Sequence, residues 1–270
     1  MLAVVCIAAA LLALWCLLLL PRRGQPGWEA IGRARYAHRG LHDASRPENS
    51  LSAFRAAAER GLGAELDVHL MADGGLAVIH DSSLERVCGK RAAIEDLTAA
   101  ELDSYPLLGS GEAIPLLGEV LAVFAGGPPL VIELKAERGN AAALTDAVMA
   151  QLAGWQGTYC IESFHPAVLL RLRLRYPEVL RGQLSQNFLR GSEVPGLPWL
   201  ARAAMTCLLT SVFTRPDFIA YNCKDRARPS LRLMKRLYGV HEVAWTIRDR
   251  QTLETLEREG VTPIFEGFVP

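Results

Sequence analysis

The chain has 270 residues, half of them apolar, and its 29 Lys and Arg balance 29 Asp and Glu. That length suits one large α/β domain, since (β/α)8 barrels run to about 250 residues or more. Zero formal charge and the lack of a long basic stretch exclude a surface built to track nucleic acid.

Residues 1–20 carry no charged side chain and are almost entirely Ala, Val, Ile and Leu, with Trp15, Cys6 and Cys16. About 20 apolar residues at ~1.5 Å each span a ~30 Å hydrocarbon core. No basic residue precedes the run, no small-x-small cleavage site follows it, and it ends in Leu-Leu-Leu-Leu-Pro. These features predict an uncleaved single-pass membrane anchor rather than a signal peptide. A buried core helix would not be so uniformly apolar. Arg22, Arg23, Arg33 and Arg35 follow directly, so the positive-inside rule puts the rest of the chain in the cytoplasm. Residues 21–33, with Gly24, Pro26 and Gly32, read as a linker, and residues 34–270 as one domain.

From residue 34, short β-prone runs alternate with helical ones. A strand at 34–38 leads to a helix at 50–60, with Leu51, Phe54, Ala57 and Ala58 on one face and Gly61 and Gly63 closing it. A strand at 64–70, a turn at Asp73-Gly74-Gly75 and a strand at 76–80 follow. Thr98 three residues before Glu101 marks a short capped helix, and Ile114-Pro115 leads into another at 116–124. Further strands are expected at 130–134, 158–161, 180–184, 218–221, 243–247 and 262–265. Helices are expected at 141–152, 167–175, 199–209, 231–238 and 252–259. This βα alternation predicts a parallel sheet, with a closed eight-strand barrel preferred over a doubly wound sheet because no Gly-rich phosphate loop follows the first strand. Nine strand candidates are one too many, and 218–221 is assigned as the accessory piece. The six cysteines, without CxxC or Cys/His metal spacing, read as free thiols.

Active groups of such a barrel sit at the C-terminal strand ends. The first strand ends in His38-Arg39-Gly40, the second carries Glu65 and Asp67, the third ends in His80-Asp81 and the fourth carries Glu133 and Lys135. Residues two apart share a face, so Glu65 and Asp67 point inward while Leu66 and Val68 pack against helices. Each feature alone has a plain structural reading: a solvated edge, an ion pair, a buried histidine. Their recurrence at successive strand ends overrides it. Three carboxylates at one mouth repel each other, and a divalent cation relieves that repulsion. All-oxygen ligation favours a hard ion, Mg²⁺ or Ca²⁺. His69 shares a face with Asp67 and is read as a bystander. His42 and Asp43 stand in the loop beside His38.

The ordered set His38-Arg39-Gly40, Pro47-Glu48-Asn49-Ser50-Leu51, Glu65-Leu66-Asp67-Val68, His80-Asp81 and Glu133-Leu134-Lys135 resembles the signature of the glycerophosphodiester phosphodiesterase family. Weaker echoes continue through Ile114-Pro115-Leu116, Ser163-Phe164 and Trp245-Thr246. The resemblance implies a TIM barrel that hydrolyses glycerophosphodiesters to glycerol 3-phosphate and an alcohol. It implies Glu65, Asp67 and Glu133 as ligands of a divalent cation, and His38 and His80 as the acid–base pair. It further implies Arg39 and Lys135 as phosphate-binding groups, with Glu48 and Asn49 supporting them. Trp245 is a candidate apolar wall for the substrate. Two departures bear on the alcohol rather than on hydrolysis: Arg248 stands near the family's usual asparagine, and Phe265-Glu266-Gly267 replaces its usual threonine-aspartate. Two alternatives remain at this stage, a membrane-tethered lysophospholipase D and a catalytically inactive barrel acting as a binding module. A metal-independent phospholipase C-like barrel is disfavoured by the three carboxylates.

Overall fold

The structure, a computed structural model, describes residues 1–22, 24, 26–190 and 197–270; Arg23, part of the expected basic flank, lies outside the described residues. Among the described residues nine strands form: β1 (Tyr36–Ala37), β2 (Gly63–Leu70), β3 (Leu76–Val78), β4 (Leu130–Leu134), β5 (Tyr159–Ser163), β6 (Arg181–Ser185), β7 (Phe218–Asn222), β8 (His241–Ile247) and β9 (Thr262–Phe265). β1 pairs in parallel with both β2 and β9, which closes eight parallel strands into a TIM barrel.

The period-2 alternation of the strands divides the interior in two. Leu66, Val68, Ile132, Leu134 and Ile161 point outward beneath the helices Leu51–Ala58, Leu117–Val123, Ala141–Leu152 and Pro166–Arg175. Val131, Cys160, Leu184, Phe218, Ala220, Val243 and Ile264 fill the barrel itself. Gly182 on β6 is glycine for a steric reason: a Cβ there would lie 2.1 Å from the Phe218 ring. All six cysteines are unbridged, in keeping with their spacing.

One assignment is corrected. Phe218–Asn222 is a barrel strand between β6 and β8, not the accessory piece. The accessory strand is β3, which runs antiparallel to β2 through Val68↔Val78 and Leu70↔Leu76. Only five residues separate β2 from β3, too few for the crossover a parallel neighbour requires. β2 therefore rises past the mouth and β3 descends from it, so His80 arrives on a returning hairpin and not on a barrel strand.

Residues 21–33 do more than link. The short helix Trp28–Gly32 seals the end of the barrel opposite the mouth: Ile31 is fully buried and Tyr36 Oη donates to its carbonyl at 2.8 Å. Trp28 stacks on His241 with ring centroids 4.3 Å apart. Before it, the helix Leu2–Leu19 is apolar throughout, and only its last turns touch the barrel. There Leu19 joins Leu208, Ile219, Tyr221 and Met234 in a small core, and Tyr238 Oη donates to the Cys16 carbonyl at 2.6 Å. The capped turn at Thr98 and Glu101 also forms, opening the short 3-10 helix Ala99–Ser104.

Candidate active site

The expected residues converge at the C-terminal mouth. Asp67 lies opposite Glu133 in the β2–β4 register, and Glu133 opposite Glu162 in the β4–β5 register, so all three point into the barrel. One carboxylate oxygen from each of Glu65, Asp67 and Glu133 lies within 4.8 Å of the other two. All three side chains are buried. Lys135 Nζ sits 2.8 Å from Glu133 Oε1 and 3.0 Å from Asp67 Oδ1.

The three acids are not equivalent. Burial raises the Asp67 carboxyl, but Lys135, His80 and Arg39 outweigh it and hold the group well below the usual carboxylate range. Burial, and then the charge of Asp67, pushes Glu65 well up. Burial also pushes Glu133 up, to about 7, against the pull of Lys135. One lysine and one arginine therefore do not neutralise the set. Asp67 Oδ1, although 3.0 Å from the Lys135 ammonium, lies off the direction of a hydrogen bond and keeps a free acceptor. A buried all-oxygen set short of positive charge fits a hard divalent cation.

Two backbone features position this group. The chain bends at Arg39 and Gly40, with φ of 53° and 78°, which turns the Arg39 N–H onto Glu65 Oε2 at 3.1 Å. Gly40 also admits the helix that follows, because a Cβ there would lie 2.9 Å from Ala53 Cβ. Asn49, likewise at positive φ (55°), receives no steric relief but binds Asp67 Oδ2 through Nδ2 at 2.9 Å. Ser50 then caps the helix Leu51–Ala58 by accepting from Ala53 N. Glu48 accepts from Arg39 at 2.9 Å and from Arg86 at 2.7 Å. Arg86 also pairs with Asp81, tying the loop after β1 to the segment after β3.

Both histidines line the pocket, and each is oriented by a carboxylate. His38 Nδ1 donates to Glu266 Oε2 at 2.7 Å, leaving Nε2 toward the pocket, 3.9 Å from Glu65. His80 Nδ1 donates to Asp81 Oδ1 at 2.6 Å. Burial lowers the pKa of both rings, against the raising pull of Glu266 on His38 and of Asp67 on His80. The Glu266 carboxyl is held at about 2 by its bond from His38.

Three contributions escaped sequence reasoning. Glu266 follows β9 directly, where the strand-end rule could have found it. Glu162 lay one residue beyond the strand expected at 158–161. It is buried, its Oε2 has no hydrogen-bond partner, and burial followed by Glu133 pushes its carboxyl well up. His69 is no bystander in packing: its Nδ1 meets Glu95 Oε1 at 2.6 Å and its Nε2 meets the His80 carbonyl at 3.2 Å.

The pocket has a volume of about 340 Å³, and Phe164 and Trp245 form one wall, edge to face with centroids 5.7 Å apart. It opens into a groove of about 690 Å³, whose lining includes Leu134, Pro166, Phe188, Leu197 and Met205.

A closed parallel barrel with buried carboxylates, paired cations and two carboxylate-oriented imidazoles at its mouth defines the class of α/β-barrel proteins equipped for anionic ester chemistry. The chain belongs to the glycerophosphoryl diester phosphodiesterase family, whose model matches residues 38–269. A glycerophosphodiester phosphodiesterase of Bacillus altitudinis is 33% identical over 53% of this chain and 63% of its own length. One from Caldanaerobacter subterraneus is 41% identical over 37% of this chain and 44% of its own, so both matches span less than two thirds of those relatives. A putative member from Bacillus subtilis is 26% identical over 86% of this chain and 93% of its own length. Among solved structures, a phosphodiesterase of Oleispira antarctica, in complex with sn-glycerol-3-phosphate, has a TM-score of 0.69 at 23% identity, covering 86% of this chain and 92% of that one. A glycerophosphodiester phosphodiesterase from Thermotoga maritima gives 0.65 at 25% identity over 86% and 94%.

Proposed function

We propose that this protein is a phosphoric diester hydrolase that cleaves glycerophosphodiesters to glycerol 3-phosphate and an alcohol with the help of a divalent cation. The observation that carries the reading is the meeting of Glu65, Asp67 and Glu133 within 4.8 Å beside His38 and His80. Those three carboxylates would hold Mg²⁺ or Ca²⁺. Such an ion polarises a phosphoryl oxygen and offsets the charge that develops on it. Arg39 and Lys135 bind the phosphodiester anion: Arg39 Nε is buried 3.6 Å from Asp67 with no hydrogen-bond partner, and Lys135 lies in the pocket between two acids.

His38 and His80 move the protons. With Nδ1 committed to a carboxylate, each ring offers only Nε2 to the substrate. His38, with Nε2 bare, takes the proton from the attacking hydroxyl, whether of water or of the glycerol itself, and His80, entering with a proton on Nε2, gives it to the departing alkoxide. Glu48 and Asn49 hold Arg39 and Asp67 in place. Trp245, with Phe164, excludes water from one side. The helix Leu2–Leu19 anchors the protein in a membrane with the barrel on the cytoplasmic side. The intact set of acids and histidines weighs against an inactive binding module.

The apolar groove beside the pocket favours one further reading, a lysophospholipase D whose substrate lays its acyl chain past Phe188 and Met205. The test is product analysis. The full chain in detergent should release glycerol 3-phosphate from glycerophosphocholine, and His38→Ala and His80→Ala should remain folded while losing that release. Release of phosphocholine instead, or full activity in either variant, would contradict the assignment. Faster turnover of long-chain lysophosphatidylcholine, lost on filling the groove with Met205→Trp, would establish the second reading.

A further inference from the structure

The N-terminal helix leaves the barrel at a defined place. Arg22 pairs with Asp217 at 2.6 Å, its backbone N–H donates to the Pro216 carbonyl at 3.0 Å, and Arg215 donates to the Leu20 carbonyl at 2.8 Å. Residues 215–217 immediately precede β7, so this root lies at the end of the barrel opposite the catalytic mouth. The helix touches the short helix Ser211–Thr214 and the helix Pro229–Tyr238.

The surrounding surface combines apolar and basic side chains. Leu174, Phe213 and Leu237 project there with 67, 60 and 50% of their surface exposed. Phe213 belongs to a helix touching the root, Leu174 to the helix packed against that one, and Leu237 lines a cleft with Pro21 and Arg22. Basic side chains stand among them. Arg175 and Arg236 are exposed beside Leu174 and Leu237.

We propose that this sector is a seating surface for an anionic bilayer, so that the barrel rests on the membrane beside its anchor with the mouth turned away from the lipid. Large apolar side chains set among arginines match the chemistry of an interface, where the rings and aliphatic chains enter the headgroup layer and the guanidiniums meet lipid phosphates. The anchor makes the contact intramolecular in effect, so a modest attraction suffices to hold it. A barrel seated in this way takes its substrate from water: a soluble diester, or a lysolipid already dispersed from the bilayer. The inference rests on the reading of Leu2–Leu19 as a membrane span.

Amide exchange on the full chain tests it, in nanodiscs of phosphatidylcholine alone and of phosphatidylcholine mixed with phosphatidylglycerol. Residues 171–176, 211–215 and 234–239 should exchange several-fold more slowly in the anionic discs, and high salt should abolish the difference. The double variant Arg175→Gln/Arg236→Gln should weaken seating by about 25-fold, at about fivefold for each arginine near the surface. Its turnover of a soluble diester in detergent should be unchanged. Equal exchange in both lipids, or protection of the mouth around residues 38–46 instead, would overturn the proposal while leaving the anchor intact. Release of the chain from both discs by an alkaline wash would overturn the anchor and the seating surface together.

Discussion

The substitution Glu266→Gln probes the orientation of His38 with almost no change in volume. Glu266 accepts from His38 Nδ1 at 2.7 Å with one oxygen and from Arg248 Nη2 at 3.2 Å with the other. Arg248 can only donate, so it would hold the glutamine oxygen and turn the amide nitrogen toward His38. That nitrogen donates to Nδ1 and forces the ring proton onto Nε2, the atom that must accept one. The equivalent tautomer inversion in catalytic triads lowers kcat about 10⁴-fold. Glu266→Ala removes the charge-assisted bond without imposing the wrong tautomer. Its loss is about 1.5–3 kcal/mol, or about 10- to 150-fold in rate. Glutamine should therefore be the worse substitution, with the loss in kcat rather than KM and thermal melts near wild type. Burial lowers the His38 pKa and Glu266 raises it, so in Glu266→Ala the acid limb of the kcat profile should move to lower pH. Alanine worse than glutamine, or a defect confined to KM, would refute this account of His38.

Two further outcomes follow from the buried charges. Burial pushes Glu133 up to about 7, and it must lose its proton to hold a cation. Affinity for Mg²⁺ or Ca²⁺, measured by calorimetry, should therefore rise at least about tenfold per pH unit between about pH 5 and 7 and then level off, whereas a flat profile would contradict the ligand assignment. His69→Ala takes from the Glu95 carboxylate its hydrogen bond with His69 Nδ1 and leaves it the one from Ser82 at 2.6 Å. It should cost about 1.5–3 kcal/mol in urea unfolding, and a loss below about 0.5 kcal/mol would mean that the bond adds little.

The parts of this molecule that were legible in the sequence are those set by local periodicity. Glu65 and Asp67 alternate with Leu66 and Val68, and that alternation alone assigns acids to the interior and aliphatics to the helices. Strand direction is not written in that pattern. Phe218–Asn222 and Leu76–Val78 are both short apolar runs, and only the brief Asp73-Gly74-Gly75 turn distinguishes a hairpin partner from a barrel strand. The turn is legible in its residues, but the strand that the returning segment pairs with is not. Glu266 was obscure for a different reason: its partner His38 lies 228 residues away, and only barrel closure through β1 and β9 brings them together. The residues 21–33 look like a linker in composition, yet Trp28 and Ile31 find apolar partners in the barrel end that no local pattern reveals.

The most direct test of the central claim is turnover of a glycerophosphodiester by the full chain after chelation and after return of Mg²⁺ or Ca²⁺, in wild type and in Glu65→Gln. Glycerol 3-phosphate release should cease with chelator and recover with the ion in the wild type, while the variant stays inactive at any ion concentration. Undiminished release in the presence of chelator would mean that the three carboxylates at the mouth do not act through a cation.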